Sequence, residues 1–573
     1  MTSHRRQVGA PPGDDAAGVH APVVGAEGAR PLQRHQFRRR LAWLAVAAVP
    51  AGFLAVFFAF PVGSILSRGI SDGSVLDVIR RRSTGELLWF TVWQAAVSTA
   101  LTLLAGLPAA WAVARIDLPG RRVLRALLIV PFVLPTLVVG AALQATFERL
   151  GLDGAGGGLR LQGTVWAILA AHVVFNVAVV VRIVGGYWAL LDSRVTEAAR
   201  VLGAGRWQVA RQVMGPRLAP ALYSAAGIVF LFCFTSFGVI LTVGGPGHPT
   251  VETEIWRFAT QRTDFTTAAA LALVQLTTVV ALVLAVNRLE GRTAAAAARR
   301  PAPPRPLRTT RQRLGAVAAV GPALVLVVVP LAVLVERSLF IGDGHGFGNY
   351  RALAESTGSG LFVSPLRAVG NSLTYAVAAT ALAVVVGGLA SIVVVHGGRR
   401  PGRALDLALM VPLGTSAVTL GFGILLALDE PPLDLRSTRA IVPIAQALVG
   451  IPFVVRAMVP ALRAVDPRQR EAAAVLGATP IRARVAVDLP VVARTLLVGA
   501  AFAFAISLGE FGATSFLARP DAPTVPVAMF RLLGQPGAAL RGQAMALGTV
   551  LAALTAASAA VIERLRPRDA LGW

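Results

Sequence analysis

Residues 471–490 read EAAAVLGATPIRARVAVDLP, and residues 197–216 read EAARVLGAGRWQVARQVMGP. The two stretches share nine of twenty positions at an offset of 274 residues: Glu-Ala-Ala, a glycine six residues on, and a proline nineteen residues on. The same offset relates Arg182 to Arg456, Asp192 to Asp466, and Phe237-Gly238 to Phe511-Gly512. Nearer each half's start, Pro131 and Gly140 match Pro412 and Gly421 at an offset of 281, so the second half's external loop is seven residues shorter. Self-similarity over such a length marks a tandem duplication, and it constrains the architecture before any local reading does.

Outward from these loops the chain is apolar. Of 573 residues, 55% are hydrophobic and 14% charged, and many runs approach the ~20 residues that an α-helix needs to cross a bilayer. Spans are expected near 41–67, 87–114, 123–146, 164–190, 219–243 and 266–287 in the first half. In the second they fall near 314–336, 370–396, 405–428, 438–463, 491–516 and 543–562. The expected fold is therefore an all-α membrane protein of twelve transmembrane helices in two six-helix repeats. An even number of spans separates the copies, so the repeats are parallel and related by an axis along the membrane normal.

All 54 basic residues are arginine. Loops on one side of the membrane carry 36 of them, loops on the other 16, and Arg182 and Arg456 lie near span ends. The positive-inside rule places the richer side, with both termini and both repeated loops, in the cytoplasm. The net charge of +25 thus reflects span anchoring and calls for no nucleic acid. Residues 1–40 read as a disordered cytoplasmic tail, 41–287 and 314–565 as the two membrane domains, 288–313 as an Arg- and Pro-rich cytoplasmic linker, and 566–573 as a C-terminal tail.

Composition also limits the chemistry. A Walker A loop needs a lysine to reach the β- and γ-phosphates, and the chain has none. With one cysteine, Cys233, an intrachain disulfide or a cysteine metal cage cannot form. The seven histidines are scattered without an HExxH pattern, and no cofactor is expected.

The repeated loop reads as a machine part. Asp466 followed by Pro467 is an N-cap with proline at the first helical position, and Gln469 is placed to close a capping-box-like turn. The helix carries Glu471, Ala472 and Ala473 and ends at Gly477, which tolerates positive φ. Thr479-Pro480 starts a second helix expected to stop near Pro490. In the first copy Asp192 starts the helix carrying Glu197, Ala198 and Ala199, Gly203 and Gly205 make the turn, and Pro216 stops it. A projecting helix of small residues with one apolar edge suits a partner's groove.

This pattern resembles the EAA loop of ABC importer permeases, in which Glu-Ala-Ala, Gly, and a closing Val-x-Leu-Pro mark the element seated in the ATPase subunit. The second copy fits at Glu471, Gly477, Val487, Leu489 and Pro490; the first fits at Glu197, Gly203, Val213 and Pro216 but has Gly215 where leucine is usual. The resemblance covers residues 41–565 as a fused pair of type I permease domains, similar to the ferric iron and thiamine importers. CFTSFGVILTVGGP with TVETEIWR resembles the thiamine kind in particular, while MVPLGTSAVTLGFG and SLGEFGATSF resemble the wider iron, molybdate and sulfate group. It implies two copies of an ABC ATPase, an extracytoplasmic solute-binding protein, a bacterial cell-membrane location, and thiamine or ferric iron as solute. An ion-coupled secondary carrier with parallel repeats is the alternative, and a membrane-embedded enzyme has no nucleophile and base to support it.

Within the spans, Glu510 is either a path or gate residue favouring a cation or a hydrogen-bonded carboxylate bracing Ser507 and nearby backbone; Ser236 is its counterpart. Phe237 and Phe511 are path candidates beside them. Arg182 and Arg456 suit snorkelling to the interface. His172 and Asn176, one turn apart, suit interhelical hydrogen bonds, and Gly140 and Gly421 suit close helix packing.

Without a phosphate-binding lysine, the purified chain should hydrolyse no ATP alone and gain turnover only with a partner ATPase. Phosphate release at a transporter-like rate from the chain by itself would contradict this.

Overall fold

The computed structural model describes residues 43 and 45–565, except 71–73, 122, 125–126, 129–133, 155–157, 292–304, 343, 356–360 and 430–432. The expected terminal tails and half of the linker lie outside these residues. The linker's end is described, and Arg305–Pro306 pairs in parallel with Ile116–Asp117 in a two-stranded patch.

The first half comprises α1 (Ala45–Ile70), α2 (Arg82–Arg115), α3 (Thr136–Arg149), α4 (Val165–Leu190), α5 (Ser193–Val201), α6 (Arg206–Phe234), α7 (Val251–Thr260) and α8 (Phe265–Gly291). The second comprises α9 (Thr310–Leu339), α10 (Pro365–His396), α11 (Arg399–Gly414), α12 (Ala417–Ala427), α13 (Ile441–Ala464), α14 (Pro467–Val475), α15 (Arg484–Gly509), α16 (Val525–Leu533) and α17 (Ala538–Leu565). Short one-turn helices connect some of these.

The helical membrane fold matches the expectation, while the count of twelve spans is not reached among the described residues. Among the described residues ten helices are long and apolar enough to cross a membrane, and an eleventh counts only if α11 and α12, bent by 99°, form one span. The span expected at 405–428 therefore breaks. Ser416 causes the restart, since its hydroxyl accepts from Val418 N at 3.0 Å and Thr419 N at 3.3 Å and so caps a new helix. The span expected at 123–146 is helical at Val123–Leu124 and Leu127–Leu128 and again from Thr136; residues 125–126 and 129–133 are not described. The fifth and eleventh spans also end early, at Phe234 and Gly509, so Glu510 is a C-cap and not a helix-interior residue.

Each half has a three-helix nucleus: α2, α4 and α6 pack mutually, and so do α10, α13 and α15. The first span of each half then crosses to the other half. α1 lies against α12, and α9 lies against α3. The reciprocal crossing follows the duplication. Small residues let the backbones approach, as membrane helix packing favours. A methyl on Gly421 would sit 2.5 Å from Ala513 Cα, and one on Gly140 would overlap the Thr242 hydroxyl. Both glycines thus have the packing role their sequence position suggested.

Gly421→Val should lower the detergent-solubilised melting midpoint by an overpacking cost of about 1–3 kcal/mol or more. Gly52→Ala, which meets nothing within 4 Å, should leave it in place. Equal midpoints for the two variants would contradict the close approach.

Candidate functional site: paired loops and a central seam

The two repeated loops adopt one geometry. Asp192 Oδ1 accepts from Arg194 N at 2.9 Å, and Asp466 Oδ1 accepts from Arg468 N at 3.0 Å, starting α5 and α14. Both helices end on a left-handed glycine, Gly203 at φ +84° and Gly477 at φ +82°. Closing bonds follow at the same places, from Ala204 N to Ala199 O and from Ala478 N to Ala473 O, each 3.0 Å. Glu197 and Ala198, like Glu471 and Ala472, are exposed, while Ala199 and Ala473 turn partly inward.

The apolar edge of each loop points away from the protein. Val201 and Leu202 are each 87% exposed, and Val475 and Leu476 are 88% and 87% exposed. Paired aliphatic residues left this bare, on loops rich in arginine, are a surface awaiting a cover.

Two local expectations are corrected. Pro216 and Pro490 do not stop the second helix of the loop; each follows a π-helical stretch, Val209–Met214 or Arg484–Asp488, and the chain continues into α6 or α15. The wider π turn accommodates a residue that lacks an N–H and crowds the preceding carbonyl. The turn at Asp466 is closed by its own carboxylate, with Arg468 N and not Gln469 as the side-chain-bonded partner.

The loops differ in their bracing. Arg470 Nε pairs with the buried Asp488 at 2.7 Å, and the Arg484 guanidinium lies 4.7 Å from the Trp43 ring centroid. At the matching first-half positions stand Thr196 and Met214, and there Arg115 donates to Leu191 O at 2.8 Å.

The second part of the site lies where the halves meet. After α6 and α15 the chain breaks at Phe237-Gly238 and Phe511-Gly512. A methyl on Gly238 would lie 2.6 Å from Thr136 Oγ1, and one on Gly512 would lie 2.9 Å from Ala417 Cβ and 3.2 Å from Val418 N. Each glycine thus lets the crossing press on the first turn of α3 or α12. Phe237 and Phe511 stack across the seam, with centroids 5.3 Å apart and planes at 18°.

Two further rings close the cluster. Trp256 lies 6.1 Å from Phe237, Phe530 lies 5.4 Å from Phe511, and Trp256 and Phe530 meet edge to face at 5.7 Å. Trp256 and Phe530 are themselves related by 274 residues, in TVETEIWR and TVPVAMFR. Their helices are held alike. Val251 N donates to Thr91 Oγ1 at 3.2 Å and Val525 N to Ser372 Oγ at 2.8 Å. This second repeated motif was legible at the same offset but lay outside the expected spans.

Glu510 is buried beside the seam, and both its oxygens are engaged: Oε1 accepts from Ala513 N at 2.7 Å and Oε2 from Thr514 N at 3.0 Å. It braces the turn that positions Phe511, through these amides and not through the Ser507 side chain. Ser236, its counterpart, is also buried. His172 and Asn176 link helices of the first nucleus. Ser98 Oγ lies 2.9 Å from His172 Nδ1, and Asn176 Nδ2 donates to Cys233 Sγ at 3.4 Å. Arg456 is exposed and donates to Met410 Sδ at 3.2 Å.

The family described as "Binding-protein-dependent transport system inner membrane component" matches residues 83–294. The sulfate transport system permease protein CysT of Escherichia coli K12 is 32% identical over 247 residues, which cover 89% of that protein and 42% of this chain. The chain belongs to the binding-protein-dependent transport permeases. Longer alignments run to the thiamine transport system permease protein ThiP. That of Salmonella typhimurium LT2 is 27% identical over 505 residues, 84% of this chain and 88% of the relative. That of Escherichia coli K12 is 27% identical over 513 residues, 86% and 89% of the two chains. The chain is thus a multi-pass cell-membrane permease of an ABC importer, and a member of this family works with an ATPase subunit and a substrate-binding protein.

Replacing Gly203 and Gly477 with valine puts a β-branched residue at positive φ, where an L side chain already costs about 1–2 kcal/mol. ATP turnover of the assembled importer should persist while solute uptake falls at least several-fold. Unchanged uptake at equal expression would remove the mechanical role of the loops.

Proposed function

We propose that this chain is the permease of an importer for thiamine, with two copies of an ABC ATPase seated on its repeated loops. In this reading both loops and both termini are cytoplasmic, and a binding protein delivers the solute from outside. ATP is hydrolysed by the separate subunits, since this chain has no lysine for a phosphate loop.

The observation that carries the coupling is the geometric identity of the two loops. Val201-Leu202 and Val475-Leu476 offer one ATPase dimer two equivalent apolar edges. Glu197, Ala198, Ala199 and Gly203, with Glu471, Ala472, Ala473 and Gly477, form the two coupling elements. When ATP draws the dimer together, the loops move with α6 and α15, whose far ends carry Phe237 and Phe511. Rocking of the halves then parts the four-ring seam and opens the route. Glu510 holds the second-half break in shape, and Ser236 is buried at the equivalent place in the first.

Thiamine is favoured by alignments to thiamine permeases that span most of both chains. A strain that can neither make thiamine nor import it should regain uptake of labelled thiamine when this chain is expressed with its neighbouring ATPase and binding protein. Leu202→Asp with Leu476→Asp should abolish that uptake and the co-purification of the ATPase. Restored growth on another solute, with no thiamine uptake, would contradict the substrate. Retention of the ATPase by the double variant would contradict the docking.

A further inference from the structure

The four rings have an acidic neighbour. Glu252 lies one helical turn from Trp256 on α7, so the two share a face. It is fully buried. Gln275 Nε2 of α8 donates to its Oε1, while Oε2 and Gln275 Oε1 have no hydrogen-bond partner among the described residues. No arginine pairs with it there; the nearby Arg257 is taken by Glu254 at 2.9 Å. From the second half, the Ser416 hydroxyl at the start of α12 faces the same carboxylate and eases its burial.

A buried carboxylate with an open oxygen is costly unless a positive charge or a proton meets it. Glu510, the other acid at the seam, is answered by two backbone amides. Glu252 is not so answered. The duplication adds to the contrast, because the counterpart of Glu252 is Pro526 and the second half repeats no acid at that position. Trp256 Nε1 is likewise buried and unpartnered. The seam therefore holds aromatic faces, a carboxylate acceptor and an N–H donor without a partner among the described residues, all at the contact between halves.

We propose that Glu252, Gln275 and the rings of Trp256, Phe237, Phe511 and Phe530 form a transient station for a flat organic cation passing between the halves. The cation lies on the aromatic faces, where the ring quadrupole attracts it, and its charge meets Glu252 Oε2. The unused Trp256 N–H is available to a ring nitrogen of the solute. The charge contact at this step comes from the first half, and both halves supply the rings. The proposal rests on the import reading for thiamine, which carries a quaternary thiazolium, but the station itself can be probed without thiamine.

The test uses the assembled importer in nanodiscs and two ligands, labelled thiamine for transport and fluorescent 1-methylquinolinium for binding in the nucleotide state that opens the seam. Glu252→Gln should weaken 1-methylquinolinium binding at least tenfold and raise the KM for thiamine similarly, while ATPase stimulation by the binding protein persists. Trp256→Leu should weaken the same binding by removing a ring face, and it reads the station if Glu252→Gln fails to assemble. A wild-type importer that ignores thiamine yet loses quinolinium binding on Glu252→Gln would overturn the thiamine reading and keep the station. Quinolinium binding within twofold of wild type in both variants would overturn the station.

Discussion

The structure depends on one close crossing: two chain breaks, Phe237-Gly238 and Phe511-Gly512, pressed against the first turns of α3 and α12 with their rings stacked at 5.3 Å. Only glycine allows the backbone so near. An aromatic pair of this kind contributes about 0.5–1.5 kcal/mol beyond its buried area. That is modest enough for the motion proposed above to undo the contact. Around it the first span of each half reaches across to the other, so the halves are interlocked at their edges yet meet centrally through side chains.

The same crossing links chemistry to mechanics. α6 and α15 each run from a repeated loop at one end to a seam phenylalanine at the other, so displacement of the loop is carried along a single helix. The π-helical turns before Pro216 and Pro490 lie at the loop end of these levers, with the Arg470–Asp488 pair bracing the second. The two levers are equivalent in shape and differ in the side chains that brace them. The acidic groups are unequal too, since Glu510 supports a turn while Glu252 keeps an open oxygen.

Much of this was legible in the sequence because duplication turns weak signals into paired ones. The Asp192 and Asp466 caps, the glycine turns and the tight packing at Gly140 and Gly421 all follow from residue chemistry at a fixed offset. What escaped were features set by tertiary context. The 99° break at Ser416 lies within an apolar run, where hydropathy cannot tell a bent pair from a straight span. The prolines at 216 and 490 looked like stops because a π turn that accommodates them has no composition of its own. Glu252 was hidden in a segment assigned to a loop, and its burial depends on Gln275 and on the other half of the chain. The crossed packing of α1 and α9 likewise comes from contacts between halves, which periodicity within one half does not encode.

The most direct measurement asks whether the seam must part for solute to pass. In a Cys233→Ser background, cysteines at positions 237 and 511 would be bridged by a short bifunctional thiol reagent in the assembled, reconstituted importer. Bridging is expected to stop solute uptake, with each single-cysteine variant unaffected by the reagent and a cleavable bridge restoring uptake on reduction. Uptake by the fully bridged protein at the rate of the unbridged one would contradict a route that opens between Phe237 and Phe511.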